Sequence, residues 1–100
     1  MYILNTTYAV DESVKKEWLQ WVTEVLLPAT LATGLLHSPK IYRVIVEQGQ
    51  GPTYSVQFIA NSADDIRNWR HQFRAEQDSQ IRKMFGEKVL GFSTVLKEIV

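Results

Sequence analysis

Apolar positions recur along this chain in two rhythms. Val14, Trp18, Trp21, Val22 and Val25 follow one another at spacings of four, three, one and three, which predicts a helix with one buried face. Ile66, Trp69, Phe73, Ile81 and Phe85 predict the buried positions of a longer helical region over 63–85. Short runs rich in β-branched and aromatic residues predict strands: YILNTTYAV (2–10), KIYRVIVEQ (40–48), TYSVQFIA (53–60) and KVLGFSTVLKEI (88–99).

Polar residues and chain breakers mark where these elements meet. Asp11 is a good N-cap, with Glu12 at the positive end of the helix dipole. Ser62 and Asp65 make a capping-box-like start, with Asp in place of the usual Glu. Pro28 donates no backbone N–H and disfavours helical geometry at Leu27, so it is expected to end the first helix. A short second helix, PATLAT, would follow and stop at Gly34. GQGP (49–52) reads as a hairpin turn, RAEQDSQ (74–80) as a candidate break, and Gly86 as the end of the long helix.

The order is β-α-β-β-α-β, an α+β chain of ferredoxin-like type. Both helices are expected on one face of a four-stranded antiparallel sheet. Splitting the strands by parity gives Leu4, Tyr8, Tyr42, Val44, Val46, Tyr54, Val56 and Phe58 to the helix side. The other parity holds Ile3, Asn5, Thr7, Ile41, Arg43, Ile45, Ser55, Gln57 and Ile59. Four isoleucines on a flat exposed sheet predict a binding surface. A second copy packed sheet on sheet, a dimeric α+β barrel, is the economical cover. Ile41, Ile45 and Ile59 are then the candidate dimer contacts. Asn5, Thr7, Arg43, Ser55 and Gln57 become a polar cluster inside it, and buried polar groups need partners or a ligand.

Composition narrows the function classes. One hundred residues suggest a single domain over 1–100. With no cysteine, thiol catalysis, thiolate metal sites and disulfides are excluded. Eleven Lys and Arg balance eleven Asp and Glu, which argues against nucleic acid or an anionic membrane as the main partner. No apolar run reaches the roughly 18 residues of a spanning helix. MYILNTTYAVDES lacks a signal-peptide pattern, so a cytoplasmic location is expected. His37 and His71 have no ligand spacing around them and read as surface residues, so neither a metal nor a cofactor is expected. Arg67, Arg70 and Arg74, with Asp64 and Asp78 within a turn, read as a solvated charged face. GQGP joins two strands and is no phosphate loop.

Asn5-Thr6-Thr7, Trp18 and Trp21, the proline followed by LATG, Arg43, GPTYSVQF and MFG together resemble a family of small uncharacterised bacterial proteins. That family is classed as a domain of unknown function and is similar to the dimeric α+β barrel superfamily. The resemblance covers nearly the whole chain and implies a fold, but no chemistry. In that family a histidine often stands two residues before the proline; here the position is Leu26. Some haem-degrading members of the superfamily combine a strand Asn with a Trp and a His. Asn5, Trp69 and His71 could be set against that pattern, but Trp69 falls on the apolar stripe, where core packing explains it.

Three functions remain open at this level. One is a dimer that binds a small molecule, with Arg43 and Gln57 recognising an anionic or carbonyl-bearing ligand. The second is a cofactor-independent oxygenase or isomerase, against which the lack of a placed general base counts. The third is a structural or protein-interaction dimer whose polar cluster is an internal network. The apolar segment after Pro28 is either a pocket wall or a plug at one end of the core.

Overall fold

A computed structural model describes residues 1–45 and 51–100. Its strands are β1 (Tyr2–Val10), β2 (His37–Arg43), β3 (Thr53–Ala60) and β4 (Val89–Lys97). They form one antiparallel sheet in the order β2-β3-β1-β4. Between β1 and β2 run α1 (Lys15–Trp21), a π-helical turn (Val22–Leu26) and α2 (Leu27–Ala32). Between β3 and β4 run α3 (Ala63–Trp69), a second π turn (Arg70–Arg74) and α4 (Ala75–Phe85). This is the ferredoxin-like plan that the element order predicts.

Local chemistry fixes the helix starts. The Asp11 carboxylate accepts from the Ser13 N–H at 2.9 Å and the Ser13 hydroxyl at 2.6 Å. Those two bonds, the hydroxyl first, hold its pKa below the usual carboxylate range. Ser62 accepts from the Asp65 N–H at 3.2 Å, as the capping pattern requires. Gly34 and Gly86 follow their helices at positive φ, 74° and 60°, where a side chain would be strained.

Pro28 does not end the first helix. The Leu27 N–H bonds the Val22 carbonyl, five residues back, in a widened turn immediately before Pro28, and Pro28 lies in the first turn of α2. The wider turn also rotates the buried face by about one residue. Leu26 is buried where Val25 was expected, and Val25 is exposed. The break expected over RAEQDSQ (74–80) is absent, because Ala75–Phe85 is continuous α-helix; the irregularity is a π turn that precedes it, Arg70–Arg74.

The core lies between the helices and one sheet face. Leu4, Tyr8 and Val10 from β1 meet Tyr54, Val56 and Phe58 from β3, and Trp18, Trp21, Val22, Leu26, Ile66, Trp69, Ile81 and Phe85 close over them. Trp18 is fully buried, its ring 5.2 Å from both Tyr8 and Tyr54.

The parity assigned to β2 needs correction. Ile41 pairs with Val56, and Arg43 with Tyr54, so both face the helices; Lys40 and Tyr42 pair with Gln57 and Ser55 on the open face. The strand is apolar on both parities, so alternation could not decide its orientation. A register shift between His37 and Lys40 sets it, with Ser38 at φ 54°. β2 also starts earlier than predicted and ends at Arg43. Ile45 lies past that end and is 86% exposed. The assignment of Val46, and Gly49 and Gln50 of the GQGP turn, lie outside the described residues.

Candidate functional site

The open sheet face gathers four of the five polar residues expected there. Its cross-strand rows read Leu96–Ile3–Ile59, Thr94–Asn5–Gln57–Lys40 and Phe92–Thr7–Ser55–Tyr42. Asn5 sits at the centre, its carbonyl oxygen accepting from the Ser55 hydroxyl and from the Gln57 amide at 3.2 Å. Its own amide donates to Thr7 at 3.3 Å, and Gln57 also donates to Ser55 at 3.3 Å. The four side chains therefore bond largely to one another. Arg43 is not among them, because it lies on the helix side of β2 and is exposed. Of the candidate dimer contacts, Ile59 is on this face, whereas Ile41 is partly buried against the core.

Sequence reasoning missed a second site on the opposite face. On the helix side β4 presents Val89, Gly91, Ser93 and Val95, opposite Val10, Tyr8, Thr6 and Leu4. Gly91 and Ser93 are too small to fill the space under α4, and a cleft of about 530 Å³ opens there. The Tyr8 ring lies over Gly91, where an added Cβ would come within 2.7 Å of it. On the floor the Thr6 and Ser93 hydroxyls are 2.9 Å apart. Across from them, Arg74, Gln77, Asp78, Ile81 and Arg82 line the cleft from the second helix. Arg74 and Asp78 are a loose pair at 3.6 Å, with the arginine the less exposed partner. The Trp69 ring forms part of the wall, and its indole N–H is buried without a partner among the described residues.

The charged stripe thus divides. Arg67 pairs with Asp64 at 2.6 Å on the surface, as expected, whereas Arg74 lines the cleft. One available signal was the small Gly91-x-Ser93 pair on a strand otherwise rich in large apolar residues. Asn5, Trp69 and His71 are not brought together: Asn5 is on the open face, Trp69 in the core on the other, and His71 on the exposed helix surface. No group of three metal-ligating side chains occurs among the described residues, and no helix of the described residues is long and apolar enough to cross a membrane.

Tyr8 is the titratable group that this geometry perturbs most. Burial pushes its pKa well above the usual phenol value and the Asp78 carboxylate adds to the rise, while Arg74 and the Thr6 hydroxyl pull it down. It therefore stays neutral and able to donate. The folded state holds this proton more tightly than the unfolded state, so stability should fall as pH rises above about 10, where an unfolded tyrosine ionises. Denaturant melts from pH 8 to 11 should show that fall, and Tyr8→Phe should flatten it; equal slopes in the two proteins would refute the assignment.

A family model for a domain of unknown function, DUF4286, matches residues 1–99. The chain belongs to the DUF4286 family. No curated protein matches it. Among solved structures, this DUF4286 chain is similar to an ethyl tert-butyl ether D (EthD) family protein from Bacillus halodurans C-125, with TM-score 0.71 and 10% identity over 99% of this chain and 100% of that one. It is similar to a hydroxynitrile lyase from Passiflora edulis, with TM-score 0.66 and 10% identity over 99% and 96%. A dimeric ferredoxin-like protein from an uncultured marine organism gives TM-score 0.61 and 16% identity over 100% and 99%. At these identities the likeness shows the fold alone.

Proposed function

We propose that this DUF4286 protein is a homodimer that binds a small organic molecule in the cleft between β4 and α4. The cleft itself supports the ligand reading. It falls in the size range of small-molecule sites and combines an apolar wall (Trp69, Ile81, Val89) with a few converging polar groups (Thr6, Ser93, Arg74). The open face supports the dimer. Leu90, Phe92, Leu96 and Tyr42 are exposed there beside Ile3 and Ile59, a grouping of apolar side chains on one face of the kind that marks an interaction surface. One of the solved structures with this fold is itself described as dimeric. In such a dimer the Asn5–Thr7–Ser55–Gln57 network would be enclosed. Its internal bonding favours a structural role over a ligand site in the sheet-lined interior.

Native mass spectrometry of gently purified protein tests the ligand. A dimer carrying an excess mass is expected, and Ser93→Leu, which fills the cleft floor, should remove that mass without dissociating the dimer. Ligand retention unchanged in Ser93→Leu would overturn the cleft assignment.

A further inference from the structure

A second, smaller cleft of about 160 Å³ lies on the far side of the long helix, between α2 and the α3–α4 segment. Ala29, Thr30 and Thr33 line it from the segment after Pro28, and Phe73, Glu76 and Gln80 from the second helix. Trp69 and Gln77 belong to both clefts and so form a shared partition. The Gln77 amide donates to the buried Thr30 hydroxyl at a long 3.3 Å. The backbone between the two partition residues contains the π turn Arg70–Arg74. A π turn interrupts the regular α-helical bonding pattern, and such turns are frequent at functional sites. The partition therefore spans the irregular stretch of its helix.

We infer that the two clefts are the two ends of one binding chamber, and that its ligand is elongated and amphipathic. This rests on the cleft reading above and adds the class of molecule. The polar head lies on the Thr6, Ser93 and Tyr8 hydroxyls, which both donate and accept and so suit a neutral hydroxyl or carbonyl head. The apolar tail passes Trp69 and emerges against Ala29 and Phe73. Passage requires Gln77 to release Thr30, so Gln77 acts on long ligands and not on short ones. The segment after Pro28 is then the wall of the tail end of the chamber.

A chain-length series of 1-alkanols, hexanol to decanol, tests this by calorimetric titration of wild type, Ala29→Trp and Gln77→Ala. Ala29 is exposed at the rim, so tryptophan there blocks the small cleft without entering the core. In wild type, affinity should rise with each added methylene up to decanol. In Ala29→Trp it should level off partway, decanol weakening about tenfold and hexanol unchanged. In Gln77→Ala decanol should tighten and hexanol stay as it was. Parallel chain-length profiles in wild type and Ala29→Trp, with hexanol bound, would overturn the through-chamber and leave the large cleft standing. No binding of any alkanol to wild type would overturn the neutral-head, apolar-tail class, while the retained mass in the native spectrum decides the cleft reading separately.

Discussion

Trp18→Ala should destabilise the protein by about 3–5 kcal/mol, the usual cost of removing a fully buried large aromatic side chain. Trp18 has no exposed surface and sits 5.2 Å from the rings of Tyr8 and Tyr54, so its loss opens a cavity where β1, β3 and α1 meet. The β1 and β3 strands beneath it are hydrogen-bonded to each other, which limits how far the space can close. Against a total of about 5–15 kcal/mol for a domain of this size, the variant should be partly unfolded at modest urea concentrations. Trp21, at the edge of the same cluster against Phe85, should cost less on truncation. Urea titrations of both variants check the order; a Trp21 variant that loses more than the Trp18 variant would show that the centre of the core is misplaced.

Phe92→Asp should convert the proposed dimer to monomer. Phe92 is 62% exposed on the open face, directly across from Thr7, with Leu90 one row and Leu96 two rows away along the same strand face. Two-fold symmetry puts the substitution into the interface twice, once from each copy. Each carboxylate would lose several kcal/mol of hydration on burial, and every 1.4 kcal/mol is about tenfold in association. Sedimentation velocity at micromolar concentration should show a wild-type dimer and a variant monomer with unchanged circular dichroism. A wild type that sediments as monomer would remove the dimer from the proposal.

The order of elements along the chain, both helical regions and the helix caps were legible because each rests on local chemistry: hydrophobic spacing, a capping side chain, a glycine at positive φ. The orientation of β2 was not. Ile41-Tyr42-Arg43-Val44-Ile45 is apolar on both parities, and the register shift before Lys40 that decides between them has no strong sequence mark. Arg43 was therefore placed with Asn5 and Gln57 when it faces the other way. Val25 was misplaced for a related reason: a wider helical turn changes which residue comes round to the core, and 3.6-residue spacing does not anticipate it. The cleft was least legible, because it is made by what Gly91 and Ser93 leave unfilled. A pattern of large residues marks where mass is, and gaps follow only once the strands are in register.

The π turns also govern how this chain is to be aligned with relatives. Each inserts the equivalent of one extra residue into a helix that is otherwise regular on both sides. A relative whose second helix is α throughout matches this one on both sides only if a one-residue gap is opened within Arg70–Arg74. Without that gap every position after it is offset by about 100° around the helix axis. Arg74, Gln77 and Asp78 would then be laid against residues of a different face, and shared cleft positions would be read as substitutions.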